Sequence, residues 1–115
     1  MKSRALPLLL SWLWACPIWS APVPLFDGQS FSGWEGETNS VWRIRGGAIV
    51  GGSLNGNPRN EFLATQKHYT NFHLRLEYKL VGTEGFVNGG VQFRSKRLSN
   101  PPNEMSGFQA RVDSN

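Results

Sequence analysis

The chain has 115 residues, a formal net charge of +4, one cysteine and 39% hydrophobic residues. A single cysteine excludes an intramolecular disulfide, and the apolar run at residues 5–13 is too short to span a bilayer. The positive charge is too small and too dispersed to call for nucleic acid as a partner.

At the N-terminus, Lys2 and Arg4 form a basic start, residues 5–13 an apolar run, and Ser20 or Ala21 offers a small residue for cleavage. Residues 1–20 therefore read as a secretory signal. The signal carries Trp12, Trp14 and Trp19, so the remainder is less aromatic than the whole, and its loss removes the Lys2 and Arg4 charges. Cys16 has two readings. Leu13-Trp14-Ala15-Cys16 is similar to the lipobox at which bacterial lipoprotein precursors are cut and acylated on the cysteine; alternatively Cys16 leaves with the signal. Both readings predict export to the periplasm or the cell exterior, with the signal or a lipid anchor at Cys16 as the only link to a membrane.

From Leu25 onward no segment holds a 3.6-residue apolar period, while several alternate with period two, which predicts an all-β chain. Residues 41–45 and 48–50 read as short strands joined at Gly46-Gly47, where glycine accepts the positive φ of a tight hairpin turn. Trp42 shares a face with Ile44 and is expected to anchor a core. Residues 51–60, rich in Gly, Asn and Ser, read as a loop, residues 61–65 as a strand, and residues 66–71 as a polar turn. Residues 72–80 alternate most cleanly: Phe72, Leu74, Leu76, Tyr78 and Leu80 point one way, and His73, Arg75, Glu77 and Lys79 the other. Complete burial of that apolar row would contribute on the order of 1.5 to 3 kcal/mol per side chain.

Residues 88–95 follow a glycine-containing link. Val91 and Phe93 are expected to face a core, with Gln92 and Arg94 together on the other side. After a loop at 99–106 containing Pro101-Pro102, residues 108–113 repeat the arrangement. Phe108, Ala110 and Val112 share one face, and Gln109, Arg111 and Asp113 the other. Side by side, the two strands would form a hydrogen-bonding platform. The second strand runs almost to the last residue without a turn or cap, so residues 24–115 read as the N-terminal portion of a longer domain. Short strands separated by turn-rich links argue for a sandwich or jelly roll.

A set of motifs in this order and spacing resembles the 3-keto-disaccharide hydrolase family, also described as 3-keto-glucoside 1,2-lyase and 3-keto-2-hydroxy-glucal hydratase. The set comprises Leu25-Phe26-Asp27-Gly28 with Gly33-Trp34, Trp42-Arg43-Ile44 before Gly46-Gly47, and Asn60-Glu61-Phe62-Leu63. It continues through Tyr69, Asn71-Phe72 and Leu74-Arg75-Leu76-Glu77-Tyr78 to Asn88-Gly89-Gly90-Val91-Gln92-Phe93-Arg94-Ser95 and Gly107-Phe108-Gln109. The resemblance covers Leu25 to Asn115. It implies a concanavalin-like jelly-roll sandwich of two antiparallel sheets, of which the N-terminal part is present, and an activity on oxidised sugars. Two positions depart from the family pattern: serine is frequent where Gly89 stands, and an acidic residue where Arg111 stands.

The chemistry so implied starts from a sugar ketone at C3, which acidifies the C2 proton and permits loss of the C1 substituent by elimination. That reaction needs a general base, a general acid for the leaving oxygen, and a fixed donor or cation for the developing enolate. Glu61 is the candidate acid/base, against the simpler reading of an ion pair with Arg59. Arg94, with its rigid fork of donors, is the candidate enolate stabiliser, against a structural salt bridge. Gln92 and Gln109 suit sugar hydroxyls, against bracing between strands, and Asp113 is a candidate ligand or base. His68 and His73 are expected to be solvent-exposed. No cofactor motif occurs, and no His, Cys or carboxylate spacing marks a metal site; a divalent cation would draw on ligands beyond Asn115. The expected partner is an oxidised glycoside or another carbohydrate. The second functional reading is a carbohydrate-binding jelly roll with no proton transfer.

Overall fold

The structure, a computed structural model, describes residues 20–82, 84–85 and 87–113. The expected signal, including Cys16, lies outside them except for Ser20. Every regular element among the described residues is a strand, and every pairing is antiparallel. The described part of the chain is thus all-β, in keeping with a jelly-roll sandwich. The strands are β1 (Trp34–Glu35), β2 (Arg43–Arg45), β3 (Ala48–Val50), β4 (Ala64–Thr65), β5 (Asn88–Arg97) and β6 (Met105–Asp113). They pair as β1 with β4, β2 with β3, and β5 with β6.

The β2–β3 hairpin forms where glycine doublets predict one. Gly46 and Gly47 have φ of 56° and 75°, the two consecutive left-handed residues that match the twist of a tight hairpin. Ile44 pairs with Ile49, and Arg43 with Val50. Arg43 also donates from Nη2 to the Gly52 carbonyl at 2.9 Å, tying the following loop to the hairpin. Trp42 is half-buried instead of forming a core centre. Its ring lies over Gly51, where an added Cβ would come within 2.7 Å of the ring Cε3.

In the pairing of β1 with β4, Trp34 lies opposite Thr65 and Glu35 opposite Ala64. The Gln66 amide extends it by donating to the Gly33 carbonyl at 2.9 Å. Trp34 donates from Nε1 to the Leu25 carbonyl at 2.9 Å, fixing the entry segment. Within that segment Asp27 closes a turn on itself: its Oδ1 accepts from the Gln29 and Ser30 amides at 2.8 and 2.7 Å. The strand expected over 61–65 shortens to its last two residues, because only Ala64 and Thr65 reach β1.

Residues 72–80 depart furthest from expectation. They have no ladder partner among the described residues, and Phe72, Leu74, Leu76 and Tyr78 are 52%, 38%, 46% and 65% exposed. Alternation specifies which side chains share a face, but a strand also needs a neighbour for its backbone groups and a layer for its apolar side. Here the segment only lies along β5. Leu76, Tyr78, Lys79 and Leu80 enclose a hollow of about 100 Å³ with Gly89, Gly90, Val91 and Val112. No hydrophobic side chain among the described residues is fully buried. Leu80, Val91 and Val112, which line this hollow, are half-buried.

Candidate functional site

The β5–β6 hairpin brings the sequence-predicted glutamines together. Gln92 and Gln109 are direct cross-strand partners, so their side chains leave the sheet on one face. Gly90 with Arg111 and Asn88 with Asp113 continue that face, while Val91 with Ala110 and Phe93 with Phe108 form the other. The two phenylalanine rings stack at 6.0 Å between centroids and 20° between planes. Gln109 reaches across the ladder. An added Cβ at Gly90 would lie 2.6 Å from Gln109 Nε2 and 3.1 Å from its Cγ, so the missing side chain at Gly90 provides the bed for the glutamine. Arg111 does not bring an unbalanced cation to the face: its Nε donates to Asp113 Oδ1 at 2.6 Å. Asp113 is thus present on the predicted face, as the counterion of Arg111.

Arg94 breaks the expected alternation. Between the pairs Phe93–Phe108 and Lys96–Ser106 the register shifts, leaving Arg94 and Ser95 opposite the single residue Gly107. This is a β-bulge, one extra residue on one strand, which re-aims the side chains beside it. Arg94 takes φ of 51°, the only left-handed non-glycine residue described. Such a conformation costs an L-residue about 1–2 kcal/mol. Ser95, not Arg94, touches Gln92, donating from Oγ to Gln92 Oε1 at 3.1 Å. Arg94 lines an open groove of about 440 Å³ with Thr70, Asn71, Phe72 and Phe93.

Glu61 sits elsewhere on the molecule. Its carboxylate accepts from Arg59 Nε at 2.5 Å, with the Glu61 side chain only 14% exposed. This contact, hydrogen bond first and opposite charge second, raises the Arg59 pKa above the ordinary arginine value. The neighbouring Asn60 donates to Glu104 Oε1 at 3.0 Å, and Asn103 donates to the Asn60 carbonyl at 3.0 Å. Glu61 is thereby held beside the 98–104 loop that closes the hairpin. No hydrogen bond joins it to Gln92, Arg94 or Gln109 among the described residues.

One functionally placed contact was missed by reading motifs. Arg97 donates from Nε and Nη2 to Glu35 Oε1 at 2.9 and 2.7 Å, and from Nη2 to the Phe62 carbonyl at 3.4 Å. It pins the hairpin to β1 and to the residue after Glu61. Ser95 and Gly107 were missed as well, although a glycine inside a strand pattern is a recognised sign of a bulge or close backbone approach. His68 and His73 are exposed, as expected. Among the described residues no cluster of three or more His, Cys, Asp or Glu side chains is placed to hold a metal ion.

The paired amides lie on one face of the β5–β6 hairpin, with Arg94 in a groove beside Phe93 and the Glu61 carboxylate tethered elsewhere. The chain belongs to the 3-keto-alpha-glucoside-1,2-lyase-like domain family, whose model matches residues 21–115. No curated protein and no solved structure matches the chain.

Proposed function

We propose that the domain cleaves 3-keto-glycosides by elimination followed by hydration of the unsaturated sugar, a net hydrolysis. The observation that carries this reading is the Gln92–Gln109 amide pair on one exposed sheet face in a chain of this family. In the reaction, a base removes the C2 proton, the electron pair forms the enolate toward the C3 oxygen, and the C1–oxygen bond then breaks as an acid protonates the leaving oxygen. Addition of water across the new double bond completes the sequence. Glu61 serves as the acid/base. Arg94 supplies donors to the enolate. Gln92, Gln109 and Asp113 hold the sugar oxygens. The protein acts after export, with residues 1–20 as the signal and Cys16 either acylated or removed with it.

A second reading is favoured by one specific observation. Glu61 is engaged by Arg59 and has no hydrogen bond to Gln92 or Gln109 among the described residues, which suits a module that holds a glycan without transferring protons. Incubating the full chain with methyl 3-keto-glucoside and following release of the aglycone decides between the two. The enzyme reading expects turnover that falls about 10²–10⁴-fold in Glu61→Gln. Saturable binding without turnover establishes the binding module, and undiminished turnover in Glu61→Gln removes that residue from the mechanism.

A further inference from the structure

The bulge in β5 gives Gln92 a property that an unbulged strand would not. With strict alternation, residues 92 and 95 fall on opposite faces, since they are an odd number of positions apart. The two-for-one count at Arg94 and Ser95 opposite Gly107 removes that mismatch and brings the Ser95 hydroxyl to the Gln92 amide. Gly107 makes the approach sterically feasible. A Cβ there would run into Ser95 Oγ and lie 2.8 Å from Ser95 Cα, so a side chain at 107 and a serine hydroxyl at this place exclude each other.

A serine hydroxyl has one proton to give. Two acceptors are within reach, Gln92 Oε1 at 3.1 Å and the Phe93 carbonyl at 3.3 Å, and the amide oxygen is the nearer. Once Oε1 is engaged from below, the amide cannot turn over freely, and the Nε2 end points away from Ser95 with two N–H donors. We infer that Ser95 is a positioning residue: it holds the Gln92 amide with its nitrogen toward the ligand, making that point of the face selective for an oxygen that only accepts. A carbonyl or enolate oxygen meets this requirement. A hydroxyl meets it less well, because its own proton then needs an acceptor that the fixed amide no longer presents. The positioning rests on the bulge geometry alone, whereas the choice of a sugar ketone over a sugar alcohol rests on the proposed function.

The test has a ligand-free arm and a ligand arm, both on the full chain. In the first, the side-chain NH2 of Gln92 is followed by NMR in the wild type, Ser95→Ala and Ser95→Thr. Restricted motion in the wild type, lost in Ser95→Ala and restored in Ser95→Thr, is expected; an NH2 signal indifferent to Ser95→Ala overturns the positioning. In the second, binding of methyl 3-keto-glucoside is compared with methyl glucoside. The wild type should favour the ketone by about tenfold, the worth of one hydrogen bond. Ser95→Ala should bring the ratio close to one with an unchanged thermal transition, and Ser95→Thr should recover it. Equal binding of both sugars by the wild type overturns the inference, because an amide with its oxygen outward would accept from the alcohol. If the wild type binds neither sugar, the keto-glycoside reading and the ligand assignment both fail, while the NMR arm still decides the role of Ser95.

Discussion

Along β5 and β6 the chain is paired from Asn88 opposite Asp113 to Arg97 opposite Met105, interrupted only by the bulge at Arg94 and Ser95, whereas residues 72–80, lying beside β5, share no ladder with it. Both segments present an apolar row. The difference lies in whether a ladder forms, not in the distance to a neighbour. The partner of β5 follows after a short loop, closed by the Leu98 amide donating to the Glu104 carbonyl at 2.9 Å and by the Glu104 amide donating to the Pro101 carbonyl at 3.1 Å. Short connections cost little closure entropy. Residues 72–80 are followed by β5 after a link of the same length, residues 81–87, yet no ladder joins them among the described residues, and their side chains meet only the residues around Val91 and Val112. A neighbour close in sequence does not by itself make a ladder, and segments with and without one can carry equally good patterns.

The largest expected effect tests the paired region. Gly107→Ala drives a Cβ into Ser95, and overpacking of this kind costs about 1–3 kcal/mol. The denaturant midpoint should fall at unchanged slope. The matched change in the unpaired segment, Leu76→Ala, should cost under about 1 kcal/mol, because a side chain already 46% exposed has limited burial to lose. Equal losses at the two positions would break the comparison and show that residues 72–80 are covered after all. Next in size is Arg97→Met, which removes the paired contact with Glu35. With side chains 27% and 43% exposed the ion pair is worth about 1 kcal/mol or less. A double-mutant cycle with Glu35→Gln measures the coupling, and no coupling would mean that the Arg97–Glu35 pair does not hold the hairpin to β1.

These contrasts also explain how much could be read beforehand. The period-two pattern placed Gln92 and Gln109 on matching faces, and the ladder sets them directly opposite each other. The glycine doublet marked the β2–β3 turn for the same reason: both signals are local and depend on few residues. The bulge was not legible from alternation, because one extra residue against Gly107 leaves the apolar spacing of Val91 and Phe93 intact. The position of Glu61 was illegible in a different way. Its tether runs through Asn60 to Glu104 and Asn103, contacts between distant parts of the chain that no local pattern encodes. The 72–80 row shows the remaining limit, since periodicity names a face and is silent about what meets it.

Arg94 offers a smaller test inside the paired region. Its left-handed backbone costs about 1–2 kcal/mol, and glycine relieves that strain while adding about 0.5–1 kcal/mol of unfolded-state entropy. Arg94→Gly should therefore gain up to about 1 kcal/mol in denaturant unfolding while turnover of a 3-keto-glucoside falls. Opposite signs for stability and activity would mark an arginine retained for its side chain at the expense of the fold. Lower stability would instead favour the structural salt-bridge reading.

The smallest expected effect concerns a local closure, the turn at Asp27. Asp27 has its pKa lowered from 3.8 to about 2 by the Ser30 hydroxyl first, then by the backbone amides of Ser30 and Gln29. All three donate to the carboxylate and favour its charged form. Because the folded value lies below the unfolded one, the turn's contribution is present above 3.8 and is lost as pH falls through about 2. The Gln29 and Ser30 amide resonances should accordingly titrate with a midpoint near 2, and Asp27→Asn should abolish that titration. A midpoint near 3.8 would mean the turn opens in solution. Even closure between adjacent residues would then require support from elsewhere, as a ladder requires more than a neighbour close in sequence.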